Sequence, residues 1–340
     1  MLLIKAMSMP SGIWGNVMKI YLAPLENITT IEYRNTLHEF FGDSIDRYYM
    51  PFFMPHIKIS LDEKDRRQLD RERNKVSCLI PQIITDRAED FRRMAEGIIQ
   101  MGYTEINLNI GCPSKRVASK GRGAGLLRRK EYLDHFLCEL YEGNNIDVSV
   151  KTRLGMYEAE EFYELLEIYN KYPIKELTIH ARTGVEKYSG RPHKEYFLYA
   201  LKHSKNPVSY NGDIVTVEDY HDLMSMIEEH CPAETYSQER MPGLMIGRGL
   251  LANPALAREI KGGPPLRGQE MLAFMNRYRQ VCSLYPRKKQ EEYLMNKSKE
   301  MLGFSRVIYP DRLEEMKEMF LCQDYGRYLK LEEDFYQALD

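Results

Sequence analysis

No apolar run in this chain approaches the ~18 residues that a membrane-crossing helix requires, so a bilayer protein is not expected. No C-x-x-C pair and no Cys/His metal spacing occurs. The six cysteines (Cys78, Cys112, Cys138, Cys231, Cys282 and Cys322) are scattered, which points to a reducing cytoplasm and no bound metal. No G-x-G-x-x-G opens an early strand–helix unit with an acid downstream, which argues against a Rossmann dinucleotide site. The short apolar start has a thin basic flank, and Trp14, Gly15 and Asn16 do not form a small-residue cleavage site. Residues 1–17 are therefore read as an extension ahead of the first strand. Charge of one sign is lacking too, since the net value is -2. What remains is a soluble globular composition, 43% hydrophobic and 29% charged over 340 residues, enough for one large domain and a smaller one.

One stretch organises the rest. Asn107-Leu108-Asn109-Ile110-Gly111-Cys112-Pro113-Ser114 puts an amide and a thiol directly after the apolar run Glu105 to Leu108. Gly111 permits unusual backbone angles and Pro113 cannot donate to a ladder, so a strand must stop here, where side chains face ligands. From Lys115 to Lys130 follow seven basic residues and no acid, interrupted by Gly121, Gly123 and Gly125. That pattern predicts a mobile cationic loop that meets an anionic substrate.

Short branched-residue runs recur about every 30 residues with helical patterns between them. They are Lys19 to Leu22, Ile45 to Tyr49, Val76 to Ile80, Glu105 to Leu108, Asp147 to Val150, Glu176 to Ile179, Pro207 to Tyr210 and Gly243 to Ile246. Eight strands alternating with helices over residues 18–260 predict a (β/α)8 TIM barrel. Asp86 with Glu89 and Thr216 with Asp219 read as capping boxes, and Asn253-Pro254 as a helix start. Phe91, Met94, Ala95 and Ile98 form one buried stripe, and Phe162, Leu165, Leu166 and Tyr169 another. Lys261-Gly262-Gly263-Pro264-Pro265 stops the last barrel element. From residue 266 to 340 the pattern is wholly helical and predicts a small C-terminal bundle of three or four helices. Its first half is basic through Arg277, Arg279, Arg287, Lys288, Lys289, Lys297 and Lys299, a solvated face or a nucleic-acid platform.

A barrel carries its active site at the C-terminal ends of its strands. The residues there form a polar set: Ala23, Pro24 and Leu25, then Gln82, Asn109 and Cys112, Lys151 and Arg153, His180 and Arg182, Asn211, Gly212 and Asp213, and Gly247, Arg248 and Gly249. The glycines and Arg248 after the last two strands match a barrel phosphate site, using backbone N–H groups, a short helix start and a cation. Gln82, Lys151, His180 and Asn211 suit the polar edge of a ring system such as flavin.

These motifs give a resemblance. Asn109-Ile110-Gly111-Cys112-Pro113, Gly121-Arg122-Gly123-Ala124-Gly125, Val150-Lys151-Thr152-Arg153, Thr178-Ile179-His180-Ala181-Arg182-Thr183, Asn211-Gly212-Asp213 and Ile246-Gly247-Arg248-Gly249 resemble, in order, those of the tRNA-dihydrouridine synthases. The resemblance implies an FMN-binding barrel followed by a helical tRNA-binding domain. It also implies NADPH as electron donor, reduction of the C5–C6 bond of tRNA uridines, and a monomer. Cys112 is then the proton donor, suited to it because a thiol of unperturbed pKa ~8.5 is mostly protonated at pH 7. Ala23, Pro24, Leu25, Gln82, Lys151, His180, Asn211, Gly212, Asp213, Gly247 and Arg248 are expected to hold FMN, with Asn109, Arg153, Arg182, Arg116, Lys120 and Arg122 on the RNA. The segment Pro24-Leu25-Glu26-Asn27-Ile28-Thr29 departs from the family's usual Pro-Met start. Two other readings stay open: an FMN barrel acting on a free pyrimidine, like a dihydroorotate dehydrogenase, and a non-catalytic RNA-binding barrel.

Overall fold

Period-two alternation decides which side chains of this chain face the barrel axis. The computed structural model describes residues 18–339 apart from 57–58, 144–145, 233–236 and 285–286, so the proposed extension 1–17 lies outside the described residues. Nine parallel strands are present: β1 (Lys19–Leu22), β2 (Arg47–Tyr49), β3 (Leu79–Ile80), β4 (Gln82–Ile83), β5 (Glu105–Asn109), β6 (Asp147–Arg153), β7 (Leu177–His180), β8 (Val208–Asn211) and β9 (Gly243–Ile246). Their order is β3-β2-β1-β9-β8-β7-β6-β5-β4.

This is the expected eight-unit barrel with its third strand in two pieces. Pro81 has no N–H to donate and divides β3 from β4. Its carbonyl still accepts from Asn107, and Phe53 bridges to Ile83, so the seam is nearly closed. The strand expected over Val76 to Ile80 is shorter than predicted, because pairing with β2 starts only at the Cys78 carbonyl.

Helices alternate with the strands: α1 (Ile31–Phe41), α2 (Glu63–Leu69), α3 (Ala88–Gln100), α4 (Lys115–Ala118), α5 (Lys130–Tyr141), α6 (Glu161–Tyr169), α7 (Lys194–His203), α8 (Val217–His230), α9 (Arg248–Ala252) and α10 (Leu256–Ile260). The core lies between strands and helices. Ile20, Leu22, Ile106, Leu108, Val150, Ile179 and Leu244 point outward into it, against the predicted stripes of α3 and α6, which are buried. Burial at about 25 cal/mol per Å² of apolar surface makes this layer the main stabilising term.

The cap at Thr216 is realised, its hydroxyl accepting from Asp219 N–H at 3.1 Å. The one expected at Asp86 is not: α3 begins after Arg87 with no side-chain cap, and Asp86 binds Arg122 instead. Asn253 likewise does not cap α10, which starts at Leu256. It makes a local turn to Ala255 N–H.

Beyond residue 266 come α11 (Gly268–Ser283), α12 (Gln290–Ser305), α13 (Leu313–Leu321) and α14 (Tyr325–Gln337). Met271, Phe274, Met275, Tyr278, Met316 and Met319 are buried as the pattern predicts, whereas Leu313 is exposed. Inside the bundle Arg279 pairs with Glu332 at 2.5 Å and donates to Ser298, so this arginine belongs to the core and not to a basic face. Arg277 is paired with Glu39, and α11 packs on α1. Arg287, Lys288 and Lys289 are exposed.

Candidate active site

The parallel register brings the polar strand ends together. Asn109 is aligned with Lys151, Arg153 with His180, His180 with Asn211, and Asn211 with Met245. Residues two apart share a face, so Lys151 and Arg153 both turn toward the mouth, while Thr152 points outward to the Tyr169 hydroxyl at 2.9 Å. Over this layer opens a cavity of about 460 Å³ whose walls include Asn109, Cys112, Lys151, Arg153 and His180. It adjoins a smaller recess of about 60 Å³ walled by Ala23, Asn211, Gly212, Asp213, Gly247 and Arg248. Pro24, Leu25, Lys151, His180 and Tyr188 line both.

Cys112 is fixed by its own main chain. Its N–H and that of Gly111 donate to Asn109 Oδ1 at 2.9 and 3.0 Å, and its carbonyl accepts from Ala124 at 2.9 Å. Asn109 in turn donates to Gln82 Oε1 at 2.8 Å, and Gln82 donates to Asn107 Oδ1 at 2.7 Å. Gln82 is fully buried, and its side chain buttresses Asn109. The Lys115–Lys130 segment, expected to be a mobile loop, is folded as α4 and a 3-10 turn, Gly123–Leu126, beneath Cys112. Gly123 has φ +54, and a Cβ there would meet the Cys112 carbonyl oxygen at 2.6 Å, so the glycines serve packing.

The expected RNA contacts divide. Lys120 is exposed. Arg116 pairs with Glu26 across the mouth, and Arg122 pairs with Asp86 at 3.1 Å. Arg153 donates to the carbonyls of Gly111, Thr183 and Lys187, each at 2.8 Å. Arg182 is fully buried, walls neither cavity, and binds Ser189 and Gly190 carbonyls and Asp213. Its side chain braces the loop that follows β7. Asp213 also holds Arg248. The two arginines keep its carboxyl below the usual range, so it stays negative and orients Arg248.

Electrostatics separate the titratable groups. Burial raises the Cys112 thiol above its ordinary value, against a lowering hydrogen bond from the Ser114 backbone. Burial, then the Arg153 charge, brings Lys151 down to about 7. Burial and the surrounding cations push His180 well below its ordinary value and leave it neutral. Lys151 donates to Asn211 Oδ1 at 2.7 Å, whereas the His180 ring makes no hydrogen bond to a described side chain and lies 6.1 Å, centroid to centroid, from the Tyr188 ring. Glu26, Phe52, Lys187 and Tyr188 also line the cavity. They lie beyond strand ends, in loops where spacing gives no signal. His56, Asp62 and Asp65 approach one another within 4.8 Å, but Asp62 and Asp65 form the capping box of α2.

The fold and site thus define a barrel protein with a thiol and cationic donors gathered at its mouth. Residues 21–304 match the family described as Dihydrouridine synthase (Dus). A probable tRNA-dihydrouridine synthase of Staphylococcus epidermidis is 30% identical over 256 residues, covering 72% of this chain and 73% of its own. A probable tRNA-dihydrouridine synthase 2 of Bacillus subtilis is 30% identical over 235 residues, covering 68% and 69%. Among solved structures, morphinone reductase aligns over 74% of this chain and 87% of its own, with TM-score 0.48 and 10% identity. The chain belongs to the dihydrouridine synthase family.

Proposed function

We propose that this protein reduces the C5–C6 double bond of uridines in tRNA, using FMN with NADPH as electron donor. The observation that carries the reading is that Cys112, held by its main chain, shares one cavity with Lys151 and the neutral His180 ring. The residues fit a flavin nucleotide. Lys151 and the neutral His180 offer donors to the ring edge, while Arg248, Gly212, Gly247 and Asn211 suit the phosphate-bearing end in the recess. At Gly212 a Cβ would lie 2.1 Å from the Tyr210 hydroxyl oxygen, so the main chain itself forms that wall. Ala23, Pro24 and Leu25 line the same recess. Bound there, reduced FMN supplies the hydride.

This chain's own residues do the rest. Cys112 holds a proton at Sγ for delivery to carbon, the protonated state being favoured by its burial. Asn109 turns its remaining amide hydrogen to the base edge and fixes the Cys112 loop. Lys151, when charged, stabilises negative charge on a base carbonyl. The uracil must leave its stack to enter a cavity of this kind. Lys115 and Lys187 at the rim, with Lys120, meet the RNA backbone, and the helical region from 266 gives a second footing through Arg287, Lys288 and Lys289. The work suits a monomer in the cytoplasm.

The test uses purified protein, FMN, NADPH and an unmodified tRNA transcript, with dihydrouridine read by mass spectrometry. Cys112→Ala is expected to keep the flavin and lose product formation. Wild-type protein that binds no flavin, or that turns over a free pyrimidine without RNA, would overturn the reading.

A further inference from the structure

The loop between β7 and α7 is held by its main chain. Arg153 takes the carbonyls of Thr183 and Lys187, and Arg182 takes those of Ser189 and Gly190. Glu186 closes the turn from within, accepting from Thr183 N–H at 2.6 Å and pairing with His193 at 2.7 Å. Lys187 is a non-glycine residue at φ +55, a left-handed backbone that persists only where its surroundings over-determine it. So much anchoring serves the next residue. Tyr188 is 51% exposed, packs into no core, and lines both the cavity and the recess. Its ring centroid lies 5.7 Å from the Arg153 guanidinium and 5.0 Å from that of Arg248, with the His180 ring centroid 6.1 Å away. An exposed aromatic ring fixed between two guanidinium groups, over the boundary that two cavities share, is placed to cover what lies there.

We infer that Tyr188 is a cofactor-binding residue: its ring covers the boundary that cavity and recess share and retains a flavin nucleotide that occupies both. The inference rests on the proposed FMN site and adds a residue that strand-end logic does not reach. Arg153 and Arg182, buried and spent on carbonyls, are the positioning residues behind it.

The experiment measures FMN release from the holoprotein by recovery of flavin fluorescence after dilution, for wild type, Tyr188→Phe, Tyr188→Ala and Glu186→Ala. Loss of a ring worth about 1.4 kcal/mol corresponds to about tenfold faster release from Tyr188→Ala. Tyr188→Phe, which keeps the ring, stays within about twofold of wild type. Glu186→Ala frees the loop without touching the ring and also speeds release. The half-exposed Tyr188 leaves the unfolding midpoint unchanged when replaced, which separates release from misfolding. Release from Tyr188→Ala at the wild-type rate overturns the inference, including the case where only tRNA affinity falls. Wild-type protein that never binds FMN fails the underlying reading instead, and the two failures are distinguishable.

Discussion

Cys112 has two features that seem opposed: a cation-rich neighbourhood and a raised thiol pKa. Burial wins over the Arg153 and Lys151 charges, so the sulfur keeps its proton. Alkylation of Cys112, followed by peptide mass spectrometry, should be slow at pH 7 and accelerate only as pH passes the ordinary thiol value of ~8.5. Fast modification at pH 6 would contradict a proton donor. Lys151 behaves in the reverse sense. The folded chain releases its proton near 7, while the unfolded chain holds it to about 10.4, so the unfolded state binds more protons in between. Stability of the cofactor-free protein should therefore rise as pH increases from 7 to 10, and Lys151→Met should flatten that rise in urea unfolding. Arg182 shows how much residue type leaves open. At a strand end it reads as a substrate contact, yet its side chain is used on Asp213 and two carbonyls. Sequence carries its position along the chain, and only the fold carries its partners.

At the scale of elements, alternation and register were legible because both follow from local spacing. Eight apolar runs located the strands, and their ends located Lys151, His180 and Asn211 on one rim. Caps were less legible, since Asp86 and Thr216 present the same pattern and differ only in a distant partner, Arg122. Thr216→Ala should accordingly cost about 1 kcal/mol in urea unfolding through a lost helix cap. The glycine-rich basic segment looked like a loop because its charges and glycines are local. Its role as a shelf under Cys112 appears in the Ala124 N–H donated to the Cys112 carbonyl and in the lack of room for a Cβ at Gly123. Gly123→Ala should shift the thiol and lower turnover by roughly a hundredfold with flavin retained, the order expected for an ångström-scale misplacement. Kinetics with the flavin absorbance as control would check it.

For the whole molecule, the net charge of -2 conceals an uneven distribution. Many cations of the basic segment and of the helical region are committed to acids or carbonyls, leaving a smaller set for the proposed RNA contact. Affinity for tRNA should fall as salt rises, and the slope of log K against log salt should flatten by about one unit for each phosphate contact removed, for example with Lys120→Ala. A slope unaltered by that change would place Lys120 off the RNA path.

Lys297 of α12 donates to the carbonyl of Asn27 at 2.9 Å, and Asn27 itself stands at φ +63 in the segment that walls the cavity. The lip of the cavity is thereby tethered to a helix that lies 270 positions downstream. Severing the chain near Gly262 would leave that lip without its outrigger, so the barrel alone should be a poorer vessel for chemistry than its intact strands imply.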